Sequence, residues 1–200
     1  MSKLYFRYGA MNSGKSTALL QVAHNYEERD QTVLIAKPAL DTKDHDRISS
    51  RLGVTRKVDI LLRATDSLLE SFDNAAVRVK AASGESIACL LVDEAQFLTR
   101  EQVDEAFELA VLREVPVLAY GIRTDFLTHA FAGSIRLFEL AHSLEELKTI
   151  CRCGRKAMFN ARIVNGDFVF AGQQVAIDGD QVTYESLCAV CYLEERSHSQ

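Results

Sequence analysis

The sequence predicts an α/β fold, a mostly parallel central sheet covered by helices on both faces, followed by a small cysteine-braced β module. Three observations predict it. Short apolar runs alternate with helix-period stretches as far as about residue 149. A glycine-rich loop lies between the first strand and the first helix. Beyond Thr149 the helical period fades, turn signals gather, and four of the five cysteines appear.

Leu4 to Tyr8 is an apolar and aromatic run feeding the glycine-rich loop, and reads as a strand. From Lys15 to about Arg29 the positions Ala18, Leu19, Val22 and Tyr26 recur at helical spacing. Thr32 to Ala36 is a buried-strand candidate, stopped by Lys37-Pro38. Asp41 to Gly53 carries Asp41, Asp44, Asp46, Arg47 and Arg51, which predicts an exposed, mobile loop. Asp66 is the expected cap of a helix whose face is Leu68, Leu69, Phe72, Ala75, Ala76 and Val79.

Ile87 to Val92 is a continuous apolar run of central-strand type. Thr99 and Gln102 form a capping-box pattern ahead of Val103, Ala106, Phe107, Ala110 and Val111. Val115 to Tyr120 reads as a strand and Leu137 to Ala141 as one more. Asn165-Gly166 is a hairpin-turn signal. The expected division is an α/β domain over residues 1–149 and a cysteine-braced β module over residues 150–200.

Two hundred residues suffice for one well-buried domain with a small appendage. A net charge of −5 argues against a broad basic surface for duplex nucleic acid, whereas a local phosphate site needs only a few donors. No run approaches the roughly 20 apolar residues of a membrane span. Met1 to Phe6 has neither an apolar core nor a small-residue cleavage site, so a secretory signal is not expected and the cytoplasm is the default.

Gly9-Ala10-Met11-Asn12-Ser13-Gly14-Lys15-Ser16 matches G-x-x-x-x-G-K-[ST] in full, in the strand-to-helix context that gives the motif its meaning. Such a loop turns backbone N–H groups toward phosphate oxygens, and the helix N-terminus adds its dipole. Lys15 can reach the β- and γ-phosphates, and the Ser16 hydroxyl is a Mg²⁺ ligand. Cys89-Leu90-Leu91-Val92-Asp93-Glu94 is an apolar strand ending in two carboxylates. Asp93 fits the strand-end acid that holds Mg²⁺ through its water shell, which leaves Glu94 to polarise a nucleophile's proton. From the residues alone that nucleophile is either water or a substrate hydroxyl. Cys89 reads as a buried apolar residue.

Cys151 and Cys153, with Cys188 and Cys191, form two close pairs suited to a closed tetrahedral thiolate site for structural zinc. His142 and His198 are the substitutes the sequence offers.

Taken together, these elements resemble the zinc-containing, RecA-like class of thymidine kinases, the bacterial type included, over essentially the whole chain. The resemblance rests on the phosphate loop, on Asp93-Glu94-Ala95-Gln96-Phe97, and on the cysteine-braced segment from Cys151 to Cys191. Leu147 to Cys151 and Tyr184 to Cys188 also match. It implies a P-loop domain with a C-terminal lasso loop. The implied activity is transfer of the γ-phosphoryl group of ATP to the 5′-hydroxyl of thymidine, with Mg²⁺ and a structural Zn²⁺. Glu94 is then the base. Gly9 to Ser16 with Asp93, Glu94, Ala95 and Gln96 form the ATP site, and Met11, Phe97, Ile122, Phe126 and Tyr184 form the thymidine wall. Arg51 falls in a segment implicated in phosphate handling. The resemblance further implies a homotetramer inhibited by thymidine triphosphate.

Two features depart from the family pattern: the single-residue spacer between Cys151 and Cys153, and Asp178-Gly179-Asp180 in place of Gly-Gly. Phe168 and Phe170 fit either hairpin packing or base contact. The rival readings are a P-loop ATPase with a zinc-ribbon module acting on nucleic acid, a nucleotide-binding regulator without turnover, and a kinase for another nucleoside such as deoxyuridine.

Overall fold

The computed structural model describes residues 1–39, 46–49, 53–174 and 182–199. β1 (Leu4–Tyr8) runs into the glycine-rich loop and then α1 (Lys15–Glu27). β2 (Thr32–Pro38) is followed by a two-stranded antiparallel ribbon of β3 (Arg47–Ser49) and β4 (Thr55–Lys57), and by β5 (Ile60–Leu62). Next come α2 (Leu68–Ser83), β6 (Ile87–Val92), a single 3-10 turn at Ala95–Phe97, α3 (Arg100–Leu112), β7 (Val117–Gly121) and α4 (Ala132–Leu140). β8 (Ser143–Glu146) completes the central sheet. The rest comprises β9 (Thr149–Ile150), β10 (Lys156–Ala157), β11 (Phe159–Val164), β12 (Asp167–Val169), β13 (Val182–Leu187) and α5 (Ala189–His198).

The six-stranded sheet has the order β5-β2-β6-β7-β1-β8, and every neighbouring pair is parallel. This is the expected α/β architecture. Parallel strands need crossovers, and helices cover both faces. On one face Leu68, Phe72, Val103, Leu109 and Leu137 of α2, α3 and α4 pack on Phe6, Leu34, Leu90 and Val92. On the other, Leu19, Leu20 and Ala23 of α1 pack on Val33, Ile35, Leu91 and Tyr120. Each such fully buried Leu or Phe side chain contributes about 1.5–3 kcal/mol relative to an exposed one. A third cluster, Ala157, Ala161, Leu187 and Tyr192 with Cys151, Cys188 and Cys191, belongs to the C-terminal segment.

The capping box at Thr99 and Gln102 is present in both directions. Asn165 and Gly166 take positive φ values of 53° and 98° between β11 and β12, as a two-residue hairpin loop requires. Cys89 is completely buried in β6.

Three expectations need correction. The cap of α2 is Ser67, whose hydroxyl accepts from the Glu70 N–H at 3.1 Å, while Asp66 accepts from the Arg63 N–H at 2.9 Å in the preceding turn. The segment expected as an exposed loop over 41–53 contains β3, whose Ile48 is buried in the core beneath α1. Leu137 to Ala141 is the end of helix α4. A five-residue apolar run does not separate strand from buried helix by period alone. Here Ser134, in the first turn of α4, donates to the Ile122 carbonyl at 2.7 Å and fixes the helix. Arg51 and Asp178-Gly179-Asp180 lie outside the described residues.

Gly133 lets α4 lie directly on the 3-10 turn. A Cβ there would sit 2.6 to 2.8 Å from the carbonyl oxygens of Leu98, Ala95 and Gln96. Gly133→Ala is therefore expected to cost about 1–3 kcal/mol or more by overpacking. That corresponds to a melting temperature lowered by roughly 3–10 °C in a chain of this size, which thermal unfolding would measure.

Candidate active site

The phosphate loop hangs between β1 and α1 and is tied at its start by Gly9 N–H to the Gly121 carbonyl, 3.2 Å. Gly14, at the N-terminus of α1, has φ 79°, a left-handed conformation that costs glycine little, and Asn12 also has positive φ. Lys15 folds back, its Nζ donating to the Ala10 carbonyl at 2.9 Å. Burial pushes its pKa below the ordinary lysine value, against the opposing pull of Glu94 and Asp93.

β6 delivers the acid pair. The Asp93 N–H bonds the Ala36 carbonyl at 3.0 Å, continuing the ladder with β2. Its side chain is buried, and Ser16 Oγ donates to its Oδ2 at 3.4 Å. The sheet thus unites two residues 77 positions apart. Burial, with the neighbouring Glu94 charge, pushes the Asp93 carboxyl up to about 7. Lys37 and Lys15 offset part of that shift, and the two carboxylates with the Ser16 hydroxyl offer hard oxygen donors of the type Mg²⁺ takes.

Glu94 has φ 50° and ψ 38°, a left-handed conformation that is uncommon for a non-glycine residue. It turns the chain from β6 into the 3-10 turn. Gln96, itself buried, donates through Nε2 to Glu94 Oε2 at 2.5 Å and accepts through Oε1 from the Ile122 N–H at 3.2 Å. Ile122 is held by both backbone groups, since Ser134 donates to its carbonyl. Gln96 thus orients the carboxylate of Glu94 and fixes the first residue beyond β7.

An open cavity of about 650 Å³ joins these groups. Met11, Asn12, Gly14, Lys15 and Ser16 line it together with Glu94, Ile122, Thr17, Ala18, Gln21 and Ser49. Of the expected wall residues, Met11 and Ile122 lie in it. Phe97 stands edge-to-face with Phe131 at 5.3 Å, half-buried. Phe126 is buried under the Arg162 guanidinium, whose carbon lies 3.6 Å from the ring centroid. Tyr184 is half-buried, its hydroxyl accepting from Arg162 Nε at 3.1 Å. Neither Phe97, Phe126 nor Tyr184 is among the residues lining the cavity. Phe168 lies below Arg152, and Phe170 packs edge-on against Tyr192, so both rings have partners within the cysteine-braced segment.

The sulfur atoms of Cys151, Cys153, Cys188 and Cys191 all lie within 4.8 Å of one another. A tetrahedral site with bonds of about 2.3 Å needs sulfurs about 3.8 Å apart, and Cys153 and Cys188 are at 3.6 Å. The Cys191 N–H in the first turn of α5 holds the Cys188 thiol down to about 6, and the neighbouring sulfurs push Cys191 up to about 12. Four thiols this close cannot all ionise unaided; a soft divalent cation resolves the conflict, and the donor set suits zinc. The one-residue spacer is accommodated by a turn in which Gly154 N–H bonds the Cys151 carbonyl at 2.8 Å. His142 is elsewhere, stacked on Phe107 and accepting from the Leu4 N–H.

The family model for thymidine kinase matches residues 2–192. The chain belongs to the thymidine kinase family. It is 48% identical to a thymidine kinase of Idiomarina loihiensis over 94% of both chains. It is 45% identical to one of Legionella pneumophila, over 96% of this chain and 90% of the relative. For one of Chromobacterium violaceum the values are 43%, 96% and 98%. Among the described residues no helix is long and apolar enough to cross a membrane.

Sequence reasoning missed Asn160, Arg162 and Ser186, which connect the cysteine-braced segment to the phosphate loop and to Phe126. The signal was available. Asn160 and Arg162 fall two apart in β11 and therefore on one face, polar residues in a strand otherwise dominated by apolar ones.

The purified protein is expected to contain about one zinc per chain, and chelation to lower its melting temperature. Elemental analysis and thermal unfolding check both.

Proposed function

We propose that this chain transfers the γ-phosphoryl group of ATP to the 5′-hydroxyl of thymidine, giving dTMP and ADP. One observation carries the reading: Glu94 and the phosphate loop open on the same cavity, and Met11 and Ile122 supply apolar surface beside them. Gly9 to Ser16 would cradle the phosphates, with the segment Asp93 to Gln96 closing the site. Ser16 and Asp93 would hold Mg²⁺, which neutralises charge on the phosphoryl oxygens. Glu94, aimed by Gln96, takes the proton from the 5′-hydroxyl as that oxygen attacks phosphorus. Met11 and Ile122 would face the nucleoside, and Phe97, Phe126 and Tyr184 would complete its wall in the bound state, excluding the water that would otherwise hydrolyse ATP.

We read residues 1–149 and 150–200 as two units, the second braced by zinc on Cys151, Cys153, Cys188 and Cys191. Cysteines used as thiolate ligands rather than in disulfides fit a reducing cytoplasm. Family resemblance extends the proposal to a homotetramer and to inhibition by thymidine triphosphate, a molecule that joins nucleoside and phosphates in one body. The rival, an ATPase acting on nucleic acid, needs a basic surface that a net charge of −5 does not favour.

Release of ADP from Mg·ATP, measured with thymidine, with other nucleosides and with single-stranded DNA, tests the reading. Turnover should depend on thymidine; stimulation by DNA alone would falsify the kinase assignment. Glu94→Gln is expected to lower kcat by about 10²–10⁴-fold, since general-base catalysis contributes on that order, with nucleotide affinity retained. Parallel losses of both, in kinetics and titration calorimetry, would make Glu94 a structural residue.

A further inference from the structure

Met11 is the third residue of the phosphate loop, yet both of its backbone groups are committed outside that loop. Its N–H donates to Asn160 Oδ1 at 2.7 Å. Its carbonyl accepts from Ser186 Oγ. Asn160 and Ser186 are directly opposite one another in the antiparallel β11–β13 ladder, so a single cross-strand pair grips a single residue of the loop. Asn160 is buried, and its Nδ2 donates onward to the Thr124 carbonyl at 3.1 Å, two residues beyond Ile122. Both polar atoms of this side chain thus hold backbone.

The next pair on the same face of that ladder is Arg162 opposite Tyr184. Arg162 bonds the Tyr184 hydroxyl and covers Phe126, and its remaining nitrogens donate to the carbonyls of Gln173 and Gln174 at 2.8 and 3.0 Å. One end of a two-strand ladder face therefore grips the phosphate loop. Its other end, about 7 Å away at two residues of strand rise, carries Tyr184 of the expected nucleoside wall and covers a second member, Phe126, through Arg162.

We propose that Asn160 and Ser186 are positioning residues that couple the nucleoside and phosphate sites, so that thymidine and ATP each strengthen binding of the other. The inference rests on the thymidine kinase reading. A nucleoside that orders the Tyr184 end of the ladder also fixes the Met11 peptide. The nucleotide then meets a loop already held in place and loses less freedom on binding. Linkage requires the reverse effect to be equal.

Titration calorimetry with a non-hydrolysable ATP analogue, with and without thymidine, tests the coupling. In the wild-type protein thymidine should tighten the analogue by about fivefold or more, and the analogue should tighten thymidine by the same factor. Ser186→Ala, which deletes one hydroxyl, should bring that factor close to one, and Ser186→Thr should restore it. Asn160→Ala should do the same. The double variant should lose no more coupling than either single one, because both side chains act on one peptide. Should Asn160→Ala fail to fold, the Ser186 pair carries the test.

An unchanged factor in Ser186→Ala would overturn the proposal, as would its absence in the wild type. Equal weakening of analogue binding with and without thymidine would also overturn it, since that reports a purely structural role. Failure of wild-type protein to bind or phosphorylate thymidine would instead remove the underlying reading, and the single-ligand titrations keep that outcome distinct.

Discussion

The parallel run of all six central strands sends every carboxyl end to one edge of the sheet, and the rest of the site depends on that constraint. β1 and β6 flank β7 in register, with Tyr8 beside Gly121 and Val92 beside Ala119. The phosphate loop, the acid pair and Ile122 therefore emerge side by side from strands far apart in sequence. In open α/β sheets ligands bind outside the carboxyl ends of the strands, where helix N-termini also point their N–H groups. The buried apolar faces hold this register. A one-residue slip of β6 would turn Leu90 and Val92 away from one core and Cys89 and Leu91 away from the other.

Chemistry at that edge is bought with backbone strain, above all at Glu94. Glu94 sits in the left-handed region, a placement on the order of 1–3 kcal/mol above an ordinary one. What surrounds it sustains the conformation: Ala95 and Gln96 are buried, Phe97 N–H bonds the Glu94 carbonyl at 3.0 Å, and α4 presses Gly133 onto the turn. Gln96 then links the carboxylate to Ile122. The carboxylate that faces the cavity is thus held by Gln96 on a backbone fixed by the packing of the turn behind it.

The framework of this chain was legible in its residues because local chemistry and global fold agree there. β1, β6, the capping box and the Asn165-Gly166 hairpin each follow from period or turn chemistry alone. The phosphate loop and the cysteine pairs were legible as motifs, since their residue types leave few alternatives. What escaped reading depends on contacts distant in sequence. Ser67 takes the capping role from Asp66 because Asp66 is used by the turn before it. Leu137 to Ala141 is helical because Gly133 and Ser134 dock that segment on residues before it in the sequence. Ile48 is buried by a core built largely from β2, β6 and α1. Asn160 and Ser186 are ordinary strand residues until the fold brings the Met11 peptide between them.

The inward fold of Lys15 has a bearing on how the site behaves when empty. The amine rests on the Ala10 carbonyl and so has a partner while the site is empty. Arrival of a triphosphate would exchange a neutral carbonyl for an anionic oxygen, a stronger partner for the same donor. Departure would let the lysine return. The loop thus carries its own placeholder, which makes each round an exchange of partners for Lys15 rather than the construction of a site.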